Sequence, residues 1–113
     1  MGLTRDFKIT VLERAQKDPA FRNGLLEEAV NEFLSGNLEV GKELMRDYIN
    51  ATIAFPKLAD KLHKNDKSLQ RMFGPRGNPT MSNFCAILKV VQKKGGIKLH
   101  AHVRSNKKVV GGN

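Results

Sequence analysis

Short interruptions divide this chain of 113 residues into segments of helical length, and they constrain its fold more than any other feature. Asp18-Pro19 pairs a helix N-cap with proline at the first helical position, and Gly36-Asn37 ends one helix and can cap the next. Between the interruptions, apolar residues recur three and four positions apart, as on the buried side of a helix. The sequence therefore predicts an all-α fold of about five helices in one domain spanning residues 1–113.

The N-terminal helices are predicted within residues 4–53, with Thr4 as the N-cap of the first one. The apolar residues at helical spacing in these segments are Phe7, Val11, Leu12, Ala15, Phe21, Leu25, Leu26, Ala29, Val30, Phe33, Leu34, Leu44, Met45, Tyr48, Ile49 and Ile53. The outer faces are acidic and carry Glu27, Glu28, Glu32, Glu39 and Glu43. This half of the chain therefore predicts ordinary helical packing with an acidic surface.

Residues 55–74 fit a helix-turn-helix, in which the polar run HKND interrupts two short apolar patterns. Asn65 or Asp66 can cap the second helix. The residues expected to face inward on the two helices are Leu58, Ala59, Leu62, Leu69 and Met72. Ala59 is small at the point where two packed helices must approach each other closely.

The remainder of the chain predicts one more helix and a strand. A helix over residues 80–94 follows the loop GPRGNP, with Thr80 as its N-cap. The period then changes to two, which indicates a short half-buried β-strand over residues 97–104. Because no equally clear partner strand lies upstream, this strand is expected to pair with its copy in a homodimer or to lend its edge to another protein. The expected dimerisation residues are Ile97, Leu99, Ala101 and Val103.

Basic residues are concentrated in the second half of the chain. Residues 1–56 contain seven Lys or Arg and nine Asp or Glu, which gives −2. Residues 57–113 contain thirteen Lys or Arg and two Asp, which gives +11 and accounts for the net +9 of the whole chain. A basic surface without a partner needs no such segregation, so the charge pattern favours a nucleic acid or another polyanion as the partner.

The exposed side of the second helix carries side chains suited to reading the bases of double-stranded DNA. Arginine and lysine pair with guanine, glutamine with adenine and serine with either, and the N-terminal part of a recognition helix enters the major groove. The predicted base-reading residues are Lys67, Ser68, Gln70 and Arg71. The predicted phosphate-binding residues are Lys64, Asn65, Arg76, Asn78 and Thr80.

Two overlapping stretches also resemble known regulators. The first, LADKLHKNDKSLQRMFGPRGNPTMSNFCAILKVV, resembles the lambda-repressor-like helix-turn-helix family, with His63 in the turn position that glycine usually holds. Residues 38–93, with the specific run SLQRMFGPRGNPT, look like the addiction-module antidote proteins, which are small bacterial regulators related to DNA-binding antitoxins. The resemblance implies a dimeric transcriptional repressor of its own operon, and the alternative is an antitoxin that neutralises a cognate toxin protein.

Other function classes have less support in the sequence. His100 and His102 share one face of the final strand, but no further ligands accompany them, so no metal or cofactor is expected. Cys85 is expected to be packed or partly packed, and no nucleophile accompanies His63, so no catalytic residue and no enzyme is predicted. RNA binding is a weaker alternative, because the aromatic residues of the basic half are read as core. With no membrane span or signal peptide in the sequence, a cytoplasmic location is expected.

Overall fold

Each interruption read from the sequence separates two helices in the structure, a computed structural model that describes residues 5–106. The helices are α1 (Arg5–Lys17), α2 (Pro19–Leu34), α3 (Leu38–Ala51), α4 (Phe55–Leu62), α5 (Asp66–Met72) and α6 (Met81–Gly95). The all-α class is confirmed for these residues, with six helices rather than about five. The N-cap predicted at Thr4 lies outside the described residues. No helix within residues 5–106 has the length and apolar character needed to cross a bilayer.

Helices α1, α2 and α3 pack on one another through small and aliphatic side chains. Ala15, Leu26 and Met45 are fully buried where the three helices meet. Gly41 of α3 lies against the ring of Phe33, and a Cβ atom at this glycine would come within 2.8 Å of the ring. The absence of a side chain at position 41 is therefore what allows α2 and α3 to approach each other so closely.

Helices α4, α5 and α6 extend the same core. The fully buried side chains in this part of the chain are Leu58, Leu69, Phe73, Ile87 and Val91. The ring of Phe84 in α6 meets that of Phe33 in α2 edge to face, with centroids 5.0 Å apart. This contact joins α2 to α6 and so connects the first three helices to the last three.

Two residues that the helical spacing places inward are exposed instead. Phe7 in α1 keeps 50% of its surface exposed, and Leu34 at the end of α2 keeps 76%. Spacing shows on which side of a helix a residue lies, but it does not show whether another element covers that side. Leu34 lies at the last turn of α2, just before Gly36 redirects the chain into α3.

The strand predicted over residues 97–104 is not formed within the described chain, where residues 97–106 have no regular secondary structure. Ile97 and Leu99 lie partly buried against the core, and the backbone N–H of Leu99 donates to the Gln92 side chain at 2.7 Å. Ala101 and Val103 are exposed, Val103 by 94%. A β-ladder needs a second strand, and no such strand occurs in residues 5–106.

Candidate nucleic-acid interface

The turn between α4 and α5 is closed by a left-handed residue. His63 has φ 55° and ψ 44°, and the backbone N–H of Lys64 donates to the Ala59 carbonyl at 2.9 Å. Asn65 then caps α5, because its side-chain oxygen accepts from the Ser68 N–H at 3.1 Å. The turn therefore has the left-handed conformation expected at this position, with histidine in the place where glycine is usual.

Helix α5 is held by one side and exposes the other. Leu69 is fully buried and Met72 is half-buried, as predicted. Lys67, Gln70 and Arg71 are exposed, while Ser68 is only partly accessible. The structure therefore brings the four predicted base-reading residues together on one helix of seven residues, about 10 Å long.

Three of these four side chains, those of Ser68, Gln70 and Arg71, have hydrogen-bond partners on the same helix. The Gln70 amide nitrogen donates to the Asp66 carboxylate at 2.9 Å. The Arg71 guanidinium donates to the Ser68 hydroxyl at 3.2 Å. Both bonds lie on the exposed surface, so they orient the side chains without removing them from solvent.

The loop after α5 folds back on the end of that helix. The Gly74 N–H donates to the Arg71 carbonyl at 3.1 Å, and the Gly77 N–H donates to the Gly74 carbonyl at 3.2 Å. A Cβ atom at Gly77 would lie 1.9 Å from the Arg71 carbonyl oxygen, so no other residue fits there without a backbone shift. As a result, Arg71 and Arg76 line the same open groove, together with Gly74, Pro75 and Gly77.

The other predicted phosphate-binding residues surround this region. Lys64 and Asn78 are exposed. Thr80 caps α6, since its hydroxyl oxygen accepts from the Asn83 N–H at 3.1 Å. Asn65 and Thr80 are thus capping residues first, although the Asn65 amide N–H groups and the Thr80 hydroxyl proton are still available as donors.

Two cations of α3, which were not singled out from the sequence, donate to backbone carbonyls at the end of α5 and in the loop that follows it. Lys42 of α3 is only 1% exposed, and its ammonium donates to the carbonyls of Gly74 at 2.9 Å and Gly77 at 2.7 Å. Arg46, one turn further along α3, donates to the Phe73 carbonyl. The sequence does contain a signal for the burial of Lys42: it lies three residues before Met45 and therefore on the buried side of α3.

A second basic surface lies between α4 and α6. This open groove is lined by Asp60, Lys61, His63, Lys89, Val90, Lys93 and Lys94. Lys61 lies in the last turn of α4, and Lys93 and Lys94 lie in the last turn of α6. Individually, such exposed lysines contribute little to binding energy, but together they set the sign of the local potential.

The remaining residues considered from the sequence do not form a site. No group of three side chains that could hold a metal ion occurs among residues 5–106, and this includes His100 and His102. Cys85 is exposed, contrary to the expectation that it would be packed or partly packed. It precedes the buried Ile87 by two residues on α6, which places it on the opposite side of the helix.

Comparison with protein-family models, with curated proteins and with solved structures gives no match for this chain.

Proposed function

We propose that this protein is a sequence-specific double-stranded DNA-binding regulator of transcription, acting as a repressor of its own operon. The observation that carries the proposal is the arrangement of α5 and its following loop. Lys67, Gln70 and Arg71 extend from one exposed face, and Arg76 lies beside Arg71 at the end of the same helix. A short helix with its polar side outward and a basic loop beside it has the dimensions of an element that enters a major groove.

The exposed residues divide into two roles. Gln70 and Arg71 have the donor patterns that pair in two-point fashion with adenine and guanine, and Lys67 and Ser68 add single contacts. Lys64, Arg76 and Asn78, with the N–H groups at the start of α6, would bind phosphates and fix the orientation of α5. The basic groove between α4 and α6 would follow the DNA backbone outside the read bases.

Dimer formation completes the proposal. The segment over residues 97–104 alternates apolar and polar side chains, and its apolar members Ala101 and Val103 are exposed in the single chain. Pairing of this segment with its copy would form the missing strand ladder and cover Val103. Two copies of α5 would then read two half-sites about one helical turn apart.

The test is binding of the purified protein to the DNA upstream of its own gene and to a scrambled duplex over a range of salt concentrations. We expect the upstream DNA to bind more tightly at physiological salt. Equal binding to both duplexes with a steep loss at higher salt would mean that charge alone is responsible, and it would refute sequence-specific regulation.

The assignment of the reading face has its own test, Arg71→Ala. We expect this change to cost about 1–3 kcal/mol of binding free energy and to relax base preference. Arg5→Ala is the matched control, since it removes the same charge from the exposed start of α1. Equal effects of the two changes would show that α5 does not read the DNA.

A second candidate function is neutralisation of a cognate toxin, and it is compatible with DNA binding. The observation that favours it is the exposed surface around the α2–α3 turn, where Leu34, Leu38 and Val40 are exposed together with Glu39. An acidic surface with apolar side chains suits a basic, RNA-cleaving partner. Co-expression with the product of an adjacent small gene, followed by size-exclusion chromatography, tests it, and unchanged elution of both proteins would count against it.

A further inference from the structure

The ammonium group of Lys42 is buried and lies next to two backbone carbonyls and one carboxylate. A lysine ammonium has three N–H groups. In this protein the ammonium donates to the Gly74 carbonyl at 2.9 Å and to the Gly77 carbonyl at 2.7 Å, and its nitrogen lies 3.0 Å from the Glu39 carboxylate. A charge with 1% exposure persists in a folded protein only when it is paired in this way. The burial of Lys42 therefore depends on the conformation of the loop.

The two carbonyls that Lys42 binds lie on either side of Pro75 and Arg76. The Gly77 N–H donates to the Gly74 carbonyl, so residues 74–77 form a closed turn. Lys42 donates to the carbonyl at each end of this turn. The turn also lies against the Arg71 carbonyl, where only glycine fits at position 77. Arg76 is consequently attached to a turn that is fixed from two sides.

Helix α3, which carries Lys42, also contacts the end of α5. Arg46 donates to the Phe73 carbonyl, directly after the last residue of α5. A helix of seven residues is too short to be stable alone, so its position depends on such contacts. Cations at the carbonyl end of a helix also interact favourably with its dipole.

We propose that Lys42 is a positioning residue for phosphate binding: it fixes the Gly74–Gly77 turn so that Arg76 holds a DNA phosphate next to the end of α5. This proposal rests on the proposed function. Lys42 itself is too deeply buried to touch a ligand, so its influence on binding must pass through the turn. A turn that is already ordered in the free protein loses less conformational freedom on binding.

The first experiment is a double-mutant cycle of Lys42→Met and Arg76→Ala, measured as the salt dependence of binding to the upstream DNA. Loss of one phosphate contact lowers the slope of log K against log salt by about 1. We expect Arg76→Ala and Lys42→Met each to lower the slope, and the double variant to resemble Arg76→Ala alone. Additive effects would show that Lys42 acts independently of Arg76 and would overturn the proposal.

Lys8→Met is the matched control. It removes the same charge and also breaks a contact to α3, but Lys8 binds Glu43 and Asp47 rather than the loop. We expect this variant to retain the wild-type slope. A slope for Lys8→Met equal to that of Lys42→Met would reduce the effect to net charge or general stability and would overturn the proposal. If Lys42→Met does not fold, Gly77→Ala disturbs the same turn without altering α3 and replaces it in the cycle.

The second experiment needs no DNA. We expect amide hydrogen exchange at Gly74 and Gly77, whose N–H groups donate to backbone carbonyls, to quicken in Lys42→Met, while Leu26 and Met45 in the N-terminal core keep their protection. Unchanged exchange in the turn would overturn the proposal. If the turn loosens but the wild-type protein binds neither duplex, the proposed function fails and the phosphate-positioning role of Lys42 fails with it, leaving only a structural anchor.

Discussion

Among the non-glycine residues of the described range 5–106, a positive φ angle occurs only at the two ends of α4. Ala54, just before α4, has φ 70° and ψ 152°, and His63, just after it, has φ 55° and ψ 44°. The first conformation is one that glycine adopts almost exclusively, and the second costs a residue with a Cβ atom about 1–2 kcal/mol. Helix α4 is thus held in place by its packing, against the conformational preferences of its flanking residues.

Replacing either strained residue with glycine should stabilise the protein. We expect Ala54→Gly and His63→Gly each to raise the free energy of unfolding by about 1 kcal/mol, after allowing for the greater freedom of glycine in the unfolded chain. Lys64→Gly is the control, because Lys64 does not have a positive φ and should lose stability. Urea denaturation measures all three, and a loss of stability in the first two would contradict the assigned backbone conformations.

Lys8 affects two carboxylates of α3 differently. Its ammonium donates to Glu43 at 2.6 Å, and this hydrogen bond lowers the pKa of Glu43 below the ordinary value. Burial raises the pKa of Asp47, even though Lys8 also lies 3.3 Å from it. The charged form of Glu43 is therefore favoured in the folded protein, whereas the charged form of Asp47 is disfavoured.

This difference predicts opposite responses to neutral substitution at pH 7. Glu43→Gln should lower the free energy of unfolding by about 0.5 kcal/mol, as for a partly exposed ion pair, and Asp47→Asn should leave it unchanged or raise it. The contribution of Glu43 is complete above its unfolded pKa and is lost as the pH falls through its lowered folded pKa. The raised pKa of Asp47 has the opposite effect. Wild type loses stability relative to Asp47→Asn as the pH rises from the unfolded pKa of Asp47 to its raised pKa in the folded protein. Denaturation at pH 7 and pH 3 measures this, and equal losses for the two variants at pH 7 would contradict it.

At the level of the helices, local signals in the sequence predicted the helix boundaries well. Asp18, Asn65 and Thr80 each cap a helix by accepting from a backbone N–H three residues further on, at 3.1–3.2 Å. Asn37 lies at the expected N-cap position of α3, but its amide donates to the Glu32 side chain instead of accepting from the helix. Capping depends on a few neighbouring residues, which is why the helix boundaries could be read directly from the chain.

The contacts that organise the candidate site could not be predicted in this way. Lys42 binds carbonyls 32 and 35 residues away, and nothing in the local pattern around it specifies that distance. The same limit applies to residues 97–104, whose alternation indicates a strand but does not supply the partner that a strand requires. Side-chain type predicted the exposed face of α5. The contacts of Lys42 and Arg46 that hold the end of α5 and its loop depend instead on how α3 and the loop pack together.

Capping of α5 leads to a prediction at this scale. We expect Asn65→Ala to lower the free energy of unfolding by about 1 kcal/mol, because it leaves the Ser68 N–H without its side-chain acceptor. Asn65→Asp keeps an acceptor at the same place and should retain most of the stability. Thermal denaturation of the two variants decides the matter, and an Asp variant as unstable as the Ala variant would exclude a capping role.

At the scale of the molecule, the charge difference between the two halves has a spatial counterpart. Residues 1–56, with −2, contain α1 to α3, and residues 57–113, with +11, contain α4 except its first two residues, α5, α6 and the segment that follows. A polyanion would attract the second half and would be repelled by the glutamates of the first, so the charges alone favour one orientation of approach. The exposed face of α5 belongs to the attracted half, which is the orientation that the proposed function needs.

The C-terminal segment supplies the last prediction, which concerns assembly. If residues 97–104 pair with their copy, an aspartate at Val103 would be placed in the apolar face of the shared sheet. Burying such a group costs about 1–3 kcal/mol, and a twofold interface contains the substitution twice, so the dimer dissociation constant of Val103→Asp should rise by more than about tenfold. The fold of each chain should be unaffected, because this side chain is 94% exposed.

His102→Asp is the matched control for that prediction, since it makes a similar change in charge at the neighbouring position on the opposite side of the segment. Sedimentation velocity over a range of protein concentrations separates the two variants, with thermal denaturation as the check that both are folded. Wild type and His102→Asp should sediment as dimers at concentrations where Val103→Asp is monomeric. A wild-type protein that sediments as a monomer at tens of micromolar would instead leave residues 97–104 available to another protein, and the toxin-binding candidate would then account better for a segment whose apolar side chains are exposed.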